Sequence, residues 1–111
     1  LVGSEMCIRD SFKALIRDGR IRRVGVDCFD AGSVECQAAY HWQAADFSSW
    51  MDEIERFVVR GDVKCYAENA FNAVSGEIPL YPLECGGRLC AEIDNQADRE
   101  VVLTRFRQEV L

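Results

Sequence analysis

Apolar and polar residues alternate through much of the first half of this chain until a helical spacing replaces the alternation. Residues 12–16 read as a strand running into a tight turn at Arg17-Asp18-Gly19, because Asp-Gly tolerates the positive φ angles that a two-residue hairpin requires. Residues 20–29 are the expected return strand, with Val24, Val26 and Cys28 on one face. Asp30-Ala31-Gly32-Ser33 is the next turn. Val34, Cys36, Ala38, Tyr40 and Trp42 then alternate with Glu35, Gln37, Ala39, His41 and Gln43. That period of two predicts a strand with the first set facing a core and the second facing solvent.

A helix is predicted over residues 46–60, capped by Asp46 or Ser48. Phe47, Trp50, Met51, Ile54, Phe57 and Val58 form one apolar stripe at helical spacing, leaving Asp52, Glu53, Glu55 and Arg56 to water. Gly61 suits the left-handed residue that ends such a helix. Residues 62–71 are expected to form a strand with Val63, Cys65 and Ala67 inward, although 68–72 are ambiguous. After a turn at Ser75-Gly76, residues 77–84 form a strand broken by Pro79 and Pro82. Proline donates no ladder hydrogen bond, so this strand should lie at an edge or be irregular. Gly86-Gly87 should turn it into a strand over 88–93, with 94–98 a loop. Residues 99–106 admit two readings. Val102, Leu103, Phe106 and Val110 have helical spacing, whereas Val101-Val102-Leu103-Thr104 is rich in β-branched residues; the strand reading is preferred, ending near Arg107 before a truncated C-terminal helix. The sum is an α+β fold, an antiparallel β-sheet of about five to seven strands with one central amphipathic helix packed on one face.

The first eleven residues fit none of these periods and resemble the translation of sequencing-adaptor DNA. They are expected to lie outside the natural fold, leaving residues 12–111 as one small domain with its C-terminus incomplete. The chain carries 13 basic and 19 acidic residues, a net charge of −6. An acidic surface repels phosphate backbones, so nucleic acid is not an expected partner. No stretch reaches the ~18 apolar residues of a membrane span, and residues 1–11 hold no secretory signal; a cytoplasmic protein is expected. Besides Cys7 there are five cysteines, Cys28, Cys36, Cys65, Cys85 and Cys90. That odd number cannot pair completely within the chain, which favours free thiols in a reducing compartment.

Candidate chemistry is sparse. His41, the sole histidine, falls on the polar face of its strand, and the nearby cysteines should face the other way, so no Cys–His nucleophilic pair is expected. Cys85-Gly86-Gly87-Arg88-Leu89-Cys90 could offer two thiolates to zinc, with Cys36, Cys65 or His41 completing a tetrahedral site. The usual tighter spacing and second matching pair are missing, so semi-buried thiols are the simpler reading. Asp27, Asp30, Asp52, Glu53, Glu55, Asp94 and Asp98 read as a solvated surface rather than as a tuned acid–base pair. There is no P-loop, dinucleotide fingerprint, nucleophile elbow or HExxH. No catalytic residue and no cofactor is therefore assigned. Trp42 and Trp50 could anchor an interface, but their periodicity marks them as core-facing.

The order strand–strand–helix–strand–strand–strand resembles the WapI-type bacterial immunity proteins. The segment Asp46-Phe47-Ser48-Ser49-Trp50-Met51-Asp52-Glu53-Ile54-Glu55-Arg56-Phe57 looks like their helix, which opens on an aromatic residue and carries an apolar stripe. Residues 77–93 look like their strand, glycine turn and strand. The resemblance covers most of residues 24–111, with the group's final helix essentially absent, and it is one of pattern. It implies a stoichiometric binder that neutralises a toxin, with no catalytic residues to carry over. An acidic surface would suit a basic partner such as a nuclease toxin. The alternative is a small metal-binding or thiol-dependent accessory or enzyme domain using Cys85, Cys90 and His41, or a fragment of a larger protein.

Overall fold

The computed structural model describes residues 12–27 and 30–109. The expectations for residues 1–11, Cys28, Phe29, Val110 and Leu111 lie outside these described residues. Within them are strands β1 (Lys13–Arg17), β2 (Arg20–Gly25) and β3 (Ser33–Glu35) and helices α1 (Ala44–Arg60), α2 (Ala67–Val74) and α3 (Gln96–Glu109).

The hairpin forms where the sequence places it. Asp18 and Gly19 take φ angles of 54° and 75°, the paired positive values whose twist matches that of the flanking strands. β1 is central in the order β2-β1-β3, and both pairings are antiparallel. Ala14 faces Val24 on one side and Val34 on the other. Between the pairs Leu15–Arg23 and Ile16–Ile21 the register slips, leaving Arg22 as an extra residue on β2. This bulge bends the hairpin.

α1 is the amphipathic helix expected, begun two residues earlier. Its N-cap is Gln43, with no side-chain capping bond, so neither Asp46 nor Ser48 caps it. Gly61 ends it at φ 85°, its N–H donating to Val58 O at 3.0 Å while Asp62 N–H donates to Phe57 O at 2.9 Å. These bonds satisfy carbonyls that the last turn would leave open. Trp50 is buried, and Met51, Ile54 and Phe57 pack around the core. Phe47 and Val58 remain exposed, and Glu53, expected in water, is buried against Arg56 at 2.6 Å.

The sheet expected to hold five to seven strands has three among the described residues, because the later segments lose their ladder partners. β3 stops at Glu35: after Cys36 N–H donates to Phe12 O at 3.0 Å, a tight turn forms in which Ala39 N–H donates to Gln37 O at 2.8 Å. The turn carries Tyr40 and Trp42 over the helices as irregular chain. Residues 62–66 pair with no strand among the described residues, and 67–74 are helical. There Tyr66 N–H donates to Asn69 Oδ1 at 3.0 Å and Asn69 N–H returns to Tyr66 O at 3.0 Å, closing the first turn. The segment expected as a strand over 77–84 is irregular, as its prolines allow, and lies beside β2, where Leu80 O accepts from Ile21 N–H at 2.7 Å. Gly86 and Gly87 do turn, at φ 63° and 79°, but residues 88–93 form no strand.

Residues 99–107 are helical rather than extended. Asn95 Oδ1 accepts from Asp98 N–H at 2.8 Å and Asp98 Oδ2 accepts from Asp94 N–H at 3.0 Å, so the expected 94–98 loop is in fact the cap and first turn of α3. Side-chain bonds from Gln96 to Glu100 and from Arg105 to Glu109 support it along its length. Together these outweigh the few tenths of a kcal/mol per residue by which β-branched side chains disfavour helix.

The core lies between the hairpin and α2, with α1 and residues 78–80 closing it. Ala14, Val24, Ala70 and Phe71 are almost fully buried, joined by Ile21, Trp50, Val74, Ile78 and Leu80. α2 is docked by the polar edge of its own helix. Glu68, Asn72 and Ser75 recur at i, i+4 and i+7, and each engages a different part of the chain. Asn72 Oδ1 accepts from Val24 N–H and Asn72 Nδ2 donates to Val24 O, both at 2.8 Å. Ser75 O accepts from Arg20 at 3.1 Å, and Glu68 meets Tyr40. Asn72→Ala, which strips both partners from Val24, is expected to lower stability by about 1–3 kcal/mol. That loss should appear as a fall in the urea midpoint at unchanged slope. Asn95→Ala removes only the cap of a helix with no buried residue and should leave the midpoint in place. An unmoved midpoint in Asn72→Ala would mean that this amide does not hold the edge of β2.

Candidate functional site

Both tryptophans singled out in the sequence pack inward. Trp42 lies 5.5 Å from Trp50 and 5.8 Å from Phe71 between ring centroids, and Tyr40 meets Trp50 edge-on at 5.7 Å. Phe47 adds a second edge contact to Trp50 at 6.4 Å. Such tilted and edge-on pairs suit the charge distribution of the rings. Trp50 Nε1 donates to Ala67 O at 2.9 Å, tying α1 to the start of α2, whereas Trp42 Nε1 is buried with no hydrogen-bond partner.

Beside these rings, Tyr40 OH donates to Glu68 Oε1 at 3.0 Å. Burial holds the Tyr40 phenol well above its ordinary range, and the charge and hydrogen bond of Glu68 push in the same direction. A phenol held protonated donates steadily but does not exchange protons near neutral pH, so this pair locks the aromatic cluster rather than providing acid–base chemistry.

The other sequence candidates are dispersed. His41 is exposed between the two core-facing residues Tyr40 and Trp42. Asp27 pairs with Arg23 at 3.0 Å, Asp30 with Arg17 at 3.8 Å, and Asp98 Oδ2 accepts from Asp94 N–H at the start of α3. Asp52 and Glu55 line an open groove of about 490 Å³ with Arg56, Val59 and Arg60, every one of them on α1.

Cys85 and Cys90 flank a closed turn. Arg88 N–H donates to Cys85 O at 3.2 Å, closing the turn through Gly86 and Gly87, with both thiols exposed. The neighbouring Cys85 thiol raises the Cys90 thiol above its ordinary value. Cys36, Cys65 and His41 do not complete a set around them. Among the described residues no group of three or more His, Cys, Asp or Glu side chains is placed to hold a metal ion. Two sulfurs supply only half of a structural zinc site. Cys65 is instead bonded to Asp62 O at 3.4 Å.

No protein-family model matches the chain, and no curated protein or solved structure matches it either. Among the described residues no helix is long and apolar enough to cross a membrane. The Tyr40–Glu68 pair was not anticipated, since its members stand 28 residues apart. The readable signal was the helical spacing of Glu68, Asn72 and Ser75.

A phenol titrating higher in the folded than in the unfolded chain leaves the unfolded state with fewer protons above the unfolded value of 10.0. The contribution is therefore complete below that pH and is lost as pH rises beyond it. Urea midpoints measured between pH 8 and 11 should fall more steeply for the wild type than for Tyr40→Phe, which lacks the titrating group. Parallel falls would place the phenol in an unperturbed environment.

Proposed function

We propose that this protein is a binding domain that acts by stoichiometric association with a basic protein, in the manner of an immunity protein that neutralises a toxin. The observation that carries this reading is where burial ends. Among the described residues none beyond Leu80 is buried. Yet Leu83 is 95% exposed, Tyr81 65%, Val101 61% and Ile93 54%. Large apolar side chains left open to water in a stretch that buries none characterise surfaces that a partner covers. Glu84, Glu92 and Asp94 stand among Tyr81, Leu83 and Ile93 against the single Arg88, and the whole chain is at −6. That charge favours encounter with a basic surface.

The resemblance to WapI-type immunity proteins supports the same reading through α1, the helix it draws on, and through the glycine turn at 86–87. It receives no support from the expected strands around that turn. The decisive experiment mixes the purified chain with a basic toxin encoded beside its gene and follows size-exclusion chromatography with light scattering. A one-to-one complex is expected. Leu83→Asp combined with Ile93→Asp should weaken it about thirtyfold or more, equivalent to ~2 kcal/mol. The circular dichroism spectrum should be unaltered, because neither side chain is buried. Failure of the wild-type chain to bind that toxin would remove the proposal.

A further inference from the structure

We infer that the outer edge of β3 is a docking site for an extended, basic segment of a partner protein, which adds to the sheet as a further strand. The ladder to β1 shows which backbone groups are open. Ile16 N–H donates to Gly32 O at 3.3 Å, and Cys36 N–H donates to Phe12 O at 3.0 Å. Bonded pairs alternate in an antiparallel ladder, so Ala14 and Val34 form the bonded pair between these two. Ser33 and Glu35 therefore turn their N–H and C=O away from β1. The Ser33 N–H serves the preceding turn, donating to Asp30 O at 2.9 Å. Ser33 O, Glu35 O and the Glu35 N–H are left without a partner among the described residues. The opposite edge of the sheet differs: Val24 exchanges bonds with Asn72, and Ile21 N–H donates to Leu80 O. Among the described residues nothing closes β3 in this way, and Val34 is 49% exposed. An uncovered edge is a template for a strand from another chain.

Two side chains set the chemistry of that strand. Val34 shares a face with Ala14 and Val24, its neighbours across the sheet, so the residue opposite it is apolar. Glu35 lies on the other face, is exposed, and forms no ion pair among the described residues. Lys13, opposite it on β1, donates instead to Val26 O at 3.3 Å. A carboxylate without a counter-ion at an open edge fits a lysine or arginine on the incoming strand. A second copy of the chain would bring its own Glu35 and a net charge of −6 to the same edge, which disfavours self-pairing. In the antiparallel arrangement the Glu35 N–H donates to the carbonyl of the basic residue, and Glu35 O accepts from its N–H. Ser33 O accepts from the residue opposite it, and the apolar residue between stands against Val34. This contact rests on the association with a basic protein proposed above for the charge of its partner, but its test uses no toxin.

The experiment titrates the isotope-labelled full chain with a short capped peptide of alternating lysine and valine, following backbone amide shifts and hydrogen exchange by NMR. Saturable shifts centred on Ser33–Glu35 are expected, with exchange of the Glu35 amide slowed. Exchange at Val34, whose N–H already serves the ladder to β1, should change little. Glu35→Pro removes the outward donor but no ladder bond, so the sheet should persist while affinity falls about tenfold or more. Glu35→Lys keeps the backbone and reverses the charge; it should lose the lysine peptide and gain one of alternating glutamate and valine. Absence of saturable shifts in the wild type would overturn the inference. So would shifts centred on residues 81–93 or on the α1 groove, unchanged affinity in both variants, or a dimer of the peptide-free chain that Glu35→Pro dissolves. Peptide binding at β3 by a chain that ignores the neighbouring toxin would support this contact while removing the proposed function.

Discussion

A three-stranded sheet has two edges, and this fold depends on how one of them is closed. Val24 turns its backbone N–H and C=O away from β1, and both would be left without partners beneath α2 if only strands could satisfy them. The Asn72 amide meets both, offering one acceptor and one donor in the spacing of a neighbouring strand. Further along the edge, Leu80 O accepts from Ile21 N–H. With the edge of β2 covered by a helix and an irregular segment, no fourth strand is required there, and the edge is protected from pairing with another chain. The orientation of α2 follows from the same contact. Once Asn72 points at β2, helical geometry turns Ala70, Phe71 and Val74 onto the sheet and leaves Glu68 to meet Tyr40.

That arrangement explains which parts of the fold were legible. The β1–β2 hairpin was readable because Asp18-Gly19 states its own backbone conformation, and α1 because six apolar residues share one stripe ending at Gly61. The segments read wrongly are those whose alternation was real but unpartnered. Val34, Cys36, Tyr40 and Trp42 alternate, and the last three do pack against the core, but β1 supplies a ladder only as far as Phe12. Val63-Lys64-Cys65 alternates too, yet the decisive information lay in Ala67–Val74, where Ala67, Ala70, Phe71 and Val74 have helical spacing. Residues 94–98 carried a capping pattern, Asn followed three positions later by Asp, which outweighs a β-branched run when no strand is available to pair with it.

The candidate sites divide along the same line. Nearness in sequence was enough to bring Cys85 and Cys90 into view, since a Gly-Gly turn closes locally whatever surrounds it. The Tyr40–Glu68 contact depends on a turn at Gln37–Ala39 and on the identity of α2 as a helix; the helical spacing of Glu68, Asn72 and Ser75 signals the second, and no periodicity signals the first. The placement of Trp42 and Trp50 in the core was recoverable because burial of large rings follows periodicity even where the strand itself fails to form.

The two parts of the chain can therefore carry different kinds of work. Residues 12–80 hold every buried side chain among those described, and within them Asn72, Glu68 and Trp50 dock one part of the chain on another. Residues 81–109 carry local devices: a glycine turn, an asparagine cap, and ion pairs along α3. Such devices set secondary structure without burying the side chains they carry. A contact surface can be completed by a partner, which orders it on binding at an entropic cost offset by the apolar area covered.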